Sequence, residues 1–141
     1  ALVQLEKLDR NMELRNDHFN SHINFFSKYN NFFALPEQNP NAYTCWLAFP
    51  MIVKKDAPFT RTDMQIFLEK RNIQTRVVFT GNILRQPMMK NVKHVGNADE
   101  FVNADRVMRQ GILLACHHGL NNEMMSHLYK SIDLFISQFK E

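Results

Sequence analysis

Apolar residues recur at three- and four-residue steps from Leu2 through Leu5, Leu8, Met12, Phe19 and Phe26 to Tyr29, and this period constrains the fold more than any other feature of the chain. Such spacing gathers the apolar side chains on one stripe and predicts a single helix over residues 2–30. At the α-helical rise per residue that helix is about 43 Å long. A compact domain of this size has a radius of gyration of only about 14 Å, so the helix should run past its own domain and pack on something beyond it. Ala1 and Leu2 supply no N-cap, and the apolar register begins at once. Two readings stand: a chain cut from a longer protein within a helix, or a short native leader whose initiator Met has been removed.

The rest of the chain alternates short apolar runs with amphipathic ones. Residues 32–35 read as a short strand and residues 36–41 as a loop rich in Pro and Asn. Residues 42–54 carry the strongest strand signal, split by Pro50, which cannot donate to a ladder and so predicts a bulge or an outer edge. Thr60 and Asp63 form a capping box that opens a helix with Met64, Phe67 and Leu68 inward, and Asn72 ends it. The β-branched and aromatic run over residues 73–79 predicts a buried strand that stops at Gly81 and opens into a polar loop carrying Asn82, Arg85 and Gln86. Residues 88–96 read as mostly loop. Asn97 or Asn103 then caps a helix with Phe101, Val102, Val107 and Met108 inward and Gly111 as its stop. A last strand spans residues 112–116, and Asn121 caps a final helix facing inward through Met124, Leu128, Ile132, Phe135 and Phe139. This order predicts an α+β sandwich: a small mixed or antiparallel sheet covered by helices and preceded by one long helix.

Composition narrows the function. With 141 residues and 45% hydrophobic content the chain can bury one real core. No stretch reaches the roughly 18 unbroken apolar residues of a membrane span, and no signal peptide opens the sequence. Cys45 and Cys116 sit in apolar runs without CxxC spacing, which reads as two small buried hydrophobes in a reducing compartment, hence a cytoplasmic protein. The net charge is +3, but Lys54 and Lys55 are followed by Asp56, and Lys70 and Arg71 are preceded by Glu69, so no basic stripe points to nucleic acid. His117 and His118 are adjacent on a turn and point apart, while His18 and His22 lie at i and i+4 with no third ligand, which reads as a solvated face. No phosphate-cradling glycine loop, nucleophile elbow or paired-carboxylate signature is present. The best binding candidates lie in the loop after residue 79: Arg85 offers a fork for phosphate or carboxylate, with Asn82 and Gln86 as neutral partners. Arg76 stands inside the predicted strand, either as the structural partner of an acid such as Asp105 or as a ligand contact.

Four segments, in order, resemble the C-terminal small domain of the DegT/StrS group of vitamin B6 dependent nucleotide-sugar enzymes, which have the type I aminotransferase fold. They are Leu2-Val3-Gln4-Leu5-Glu6-Lys7-Leu8; Trp46-Leu47-Ala48-Phe49-Pro50; the run from Thr75 to Pro87; and Asn103-Ala104-Asp105-Arg106 with Gly119-Leu120. The third is the specific one. Sugar aminotransferases of the group tend to show Pro-Leu-His after that strand, whereas Gly81-Asn82-Ile83-Leu84-Arg85-Gln86-Pro87 resembles the branch of CDP-4-keto-6-deoxyglucose 3-dehydratases and their GDP-sugar relatives. Departures occur where the family reads Tyr-Pro-Gly-Leu and this chain reads His117-His118-Gly119-Leu120, and at Ala104 in place of Thr.

The resemblance implies a fragment. Residues 1–30 would be the interdomain helix and residues 31–141 the small domain. The groups that hold and serve the cofactor would lie in a large domain upstream, so the chain alone should be inactive, and Cys45 and Cys116 would not belong to an iron–sulfur cluster. In the parent, PLP or PMP would act on a nucleotide-linked 4-keto-6-deoxy sugar. The cofactor amine would condense with the C4 ketone, and a large-domain histidine would move the proton that lets the C3 hydroxyl leave. The parent would be a homodimer with an iron–sulfur flavin reductase as partner, in a route to O-antigen or a similar glycan. Asn82, Arg85, Gln86, Arg76 and His117 would be the substrate-binding residues. Two alternatives remain: the matching domain of a PLP-dependent sugar aminotransferase, and a non-catalytic binding module.

Overall fold

The structure, a computed structural model, describes residues 2–139. It is an α+β sandwich around a three-stranded antiparallel sheet, as the element order predicts. The predicted opening helix is divided into α1 (Leu2–Leu5) and α2 (Leu8–Phe26), with a 3-10 turn at Ser27–Tyr29. Leu2, Val3, Leu5 and Leu8 are all exposed, so no packing holds the two pieces in one register, and a four-residue helix without packing is marginal. From Phe19 onward the stripe is buried, through His22, Phe26 and Tyr29.

The sheet order is β1 (Phe33–Ala34), β2 (Ala48–Val53), β3 (Gly111–Ala115). Alternation along β2 sends Phe49, Met51 and Val53 into the core, where Ile112 and Leu114 of β3 join them. Pro50 sits opposite Leu113 in an unbroken register, so there is no bulge. Only Ile52 and Val53 of β2 meet β1, which leaves Pro50 with a partner on one side alone, and its missing N–H is tolerated there. Helices α3 (Arg61–Glu69) and α5 (Asn122–Ser137) close the core with Met64, Leu68, Leu128, Ile132 and Phe135. Phe26 packs on Phe49 at 5.6 Å and on Phe33 at 5.7 Å, and Phe59 meets Phe135 edge-on at 4.8 Å. None of the described helices is long and apolar enough to cross a membrane.

Local rules predicted the caps of α3 and α5. Thr60 Oγ1 accepts from Asp63 N at 3.2 Å, Asp63 Oδ2 accepts from Thr60 N at 2.8 Å, and Asn121 Oδ1 accepts from Met124 N at 2.9 Å. Asn72 ends α3 with a left-handed backbone, φ 60°.

Further expectations are corrected. Residues 73–79 do not form a regular strand: Arg76 alone bridges Leu113, with N–O distances of 3.1 and 2.7 Å, and Phe79 turns out at φ 45° with its ring 90% exposed. β-Branched composition favours a strand only where the pleated surface is covered, and Val77 and Phe79 find no cover. Helix α4 (Val102–Gln110) starts from Phe101 without a side-chain cap, so neither Asn97 nor Asn103 caps it. Its buried residue is Asp105, while Phe101 and Val102 are exposed. On α5 it is Met125 that is buried and Met124 that is exposed. His22 is not on a solvated face: it is fully buried, with Nε2–H donating to Ala115 O at 2.9 Å and Nδ1 accepting from Tyr129 Oη at 3.1 Å.

Candidate functional site

Past the Arg76 bridge the chain folds back across α4, and two glycines let it approach. A Cβ on Gly81 would lie 2.2 Å from Met108 Cβ, and Gly81 itself has φ 63°. A Cβ on Gly111 would lie 2.5 Å from Val107 O and 2.9 Å from a Val78 methyl. The following loop is held by polar side chains turned inward. Asn82, only 2% exposed, accepts from Leu84 N at 3.2 Å and donates to Ala98 O at 2.9 Å and to Asp105 Oδ1 at 2.8 Å. Arg85 grips Asp105 with both arms of its fork, Nε to Oδ1 at 2.5 Å and Nη2 to Oδ2 at 2.6 Å, and reaches Asp99 Oδ1 at 2.7 Å. Gln86 donates to Thr80 O at 3.2 Å. Arg85 and Asn82 stabilise the ionised carboxylate, so the Asp105 pKa is held down to about 2, and that of Arg85 is raised by the same contacts.

Arg76 and His117 meet elsewhere. They share the rim of a groove of about 460 Å³ beside β3, whose walls include Leu47, Leu113, Leu120 and Leu128. Arg76 is exposed and makes no side-chain ion pair among the described residues; Asp105 belongs to Arg85. His117 accepts from Gly119 N at Nδ1, 3.1 Å, and its carbonyl accepts from His18 Nδ1 at 3.1 Å. Partial burial, followed by the nearby His118, Arg15 and His18, lowers its pKa below the ordinary imidazole value. The side chain therefore stays neutral at pH 7, and because Nδ1 accepts from Gly119 its free Nε2–H is a donor.

The predicted site residues thus form two sets: Asn82, Arg85 and Gln86 within the loop, Arg76 and His117 on the groove. Among the described residues the groove walls include no lysine and no carboxylate, so they offer neither a Schiff-base amine nor an acid to hold a pyridine nitrogen and do not fit a pyridoxal ring. Sequence reading missed Asp99, and of its two alternatives for Arg76 the pairing with Asp105 is not formed, since Arg85 takes that acid. Two acids downstream of a lone arginine were the available signal, but nothing local chooses between Arg76 and Arg85 as their partner.

A family model described as the DegT/DnrJ/EryC1/StrS aminotransferase family matches residues 1–133. The lipopolysaccharide biosynthesis protein RfbH of Salmonella typhimurium is 33% identical, over 100% of this chain and 30% of its own length. A dTDP-4-dehydro-2,6-dideoxy-D-glucose 3-dehydratase of Saccharopolyspora spinosa is 34% identical over 74% of this chain and 22% of its own. The chain therefore spans less than a third of these relatives. Among solved structures, E. coli GDP-4-keto-6-deoxy-D-mannose-3-dehydratase with bound hydrated PLP superposes with a TM-score of 0.76 at 21% identity, over 92% of this chain and 33% of that one. S. venezuelae DesV in complex with a ketimine intermediate gives 0.78 at 16% identity, over 94% and 34%.

Proposed function

Because the chain belongs to the DegT/DnrJ/EryC1/StrS aminotransferase family, we propose that it is the small-domain part of a nucleotide-sugar C3 dehydratase that uses PLP or PMP. The observation that carries this reading is the naming of the relatives: two curated matches are 3-dehydratases of nucleotide-linked deoxysugars, and RfbH is a lipopolysaccharide biosynthesis protein. Residues 1–30 link this domain to the rest of the parent and residues 31–141 form it. The substrate is a nucleotide-linked 4-keto-6-deoxy sugar on a route to O-antigen or a similar glycan. The parent is a cytoplasmic homodimer supplied with electrons by an iron–sulfur flavin reductase. The cofactor is held by the parent's other residues, since the groove walls do not fit it.

The geometry divides the labour among this chain's residues. Arg85 is engaged by Asp105 and Asp99, so its part is to fix the loop, with Asn82, in the shape that presents Gln86 and the loop's outward side chains to the sugar. Arg76 has no competing carboxylate among the described residues, and it supplies the charge-assisted contact to phosphate, with His117 as a neutral partner on the same rim. The test is product analysis by mass spectrometry with the full-length parent, PMP, the reductase and a CDP- or GDP-linked 4-keto-6-deoxy sugar. A product that has lost the C3 hydroxyl is expected. A 4-amino sugar with its C3 hydroxyl intact would replace this reading with the aminotransferase one, which the family's name favours, and no turnover of either kind would leave a binding module.

A further inference from the structure

The loop after β2 and the flank of α4 face each other across a groove of about 660 Å³. Lys54 and Lys55 line it from the loop, Arg106 and Arg109 from the helix. An adjoining hollow of about 430 Å³ shares Lys54, Lys55 and Arg109 and extends to Arg61, at the start of α3. Residues scattered among acids in the sequence are thus gathered by the fold into one concave basic surface.

The carboxylates there do not neutralise it. Lys54, Lys55, Arg61, Arg106 and Arg109 face Asp56, Asp63 and Asp105, and Asp105 is shared with Arg85 from outside the groove, so cations remain in excess although Asp63, bonded only to Thr60 among the described residues, keeps its charge. Arg109 reaches Asp105 at only 3.5 Å. Lys55 and Arg106 are exposed and make no hydrogen bond or ion pair among the described residues. Lys54 donates to Asn30 O, a neutral acceptor. Arg61 donates to Met108 O at 3.3 Å, and its buried Nε meets no acceptor among the described residues. Single surface lysines are ordinarily solvated, but cations from three elements around one hollow focus their field there. Two arginine forks a helical turn apart suit paired tetrahedral oxyanions.

We propose that this groove binds a diphosphate group, free or carried by a nucleotide. It shares no lining residue with the groove of Arg76 and His117, and it does not rest on the dehydratase reading. The test is titration of the 141-residue chain with inorganic pyrophosphate and, separately, with CDP at low ionic strength, followed by calorimetry and by amide shifts. Saturable binding with shifts at residues 54–56 and 102–110 is expected. Lys55→Glu combined with Arg106→Glu should weaken it at least about tenfold, and Lys130→Glu on α5 less than about twofold. Equal affinity for both probes assigns recognition to the diphosphate alone, and tighter CDP binding assigns the nucleotide as its carrier. If the double variant does not fold, Arg106→Gln alone has to weaken binding about threefold or more. Absence of saturation, or equal weakening by Lys130→Glu, would overturn the proposal and leave only diffuse surface charge.

Discussion

The core and the loop over residues 77–102 are built in opposite senses. In the core the aromatic side chains of α2, β1, β2 and α5 point inward and interlock, and water is excluded by apolar area. In the loop Val77, Phe79, Met88 and Val95 point out, while Asn82 points in and meets Asp105 of α4. A segment that buries so little apolar surface takes its shape from a few hydrogen bonds, each of which counts for more than one contact among many in a packed core. The comparison teaches that one chain can hold a frame by area and a candidate binding loop by chemistry, and that the two should fail separately.

The largest separation is expected from Phe26→Ala, which leaves a cavity among Phe49, Phe33 and His22. Urea denaturation should show a loss of about 3–5 kcal/mol. A loss below about 1 kcal/mol would mean that this ring is not part of a packed frame.

Acid should part the two regions next. Burial lowers the His22 pKa from 6.5 to about 4, against the smaller opposing effect of its bond to Ala115 O. The unfolded chain takes up this proton first, so stability present above pH 6.5 declines as the pH falls toward about 4, by about 3 kcal/mol from this group. Asp105 works in a lower window, since its carboxylate, depressed from 3.8 to about 2, contributes stability present above 3.8 and lost as the pH falls through about 2. Ring NMR should find His22 neutral and protonated at Nε2 well below pH 6; titration near 6.5 would contradict its place in the core.

A smaller and more local effect is expected from Asn82→Ala, which removes bonds to Leu84, Ala98 and Asp105. Loss of about 1–3 kcal/mol is expected, with the core ring signals unmoved in NMR spectra. Smallest of all, Val95→Ser should change stability by less than about 0.5 kcal/mol, because its side chain is 94% exposed; a larger loss would show that this outward face is packed after all.

What was legible in the sequence follows the same division. The core elements follow from periodicity, and the caps at Thr60 and Asn121 from rules that reach only three residues. His22 was misread because spacing relative to His18 says nothing of the Ala115 carbonyl, 93 residues away, that meets its ring. The 73–79 run was misread because β-propensity does not tell whether a surface will be covered. In α4 the apolar residues misled, since the inward position is taken by Asp105, whose partner Arg85 lies 20 residues upstream. The basic groove was invisible for a like reason: Lys55 and Arg106 come together only when α4 folds beside the β2–α3 loop.

Amide hydrogen exchange on Arg85→Met tests the central claim, that polar pins alone hold the loop on an independent frame. The substitution keeps a long side chain and removes both arms of the fork on Asp105 and the contact to Asp99. Amides over residues 80–101 should lose protection, while those of β2, β3 and α5 keep theirs. Unchanged protection in the loop, or an equal loss throughout the core, would contradict the account.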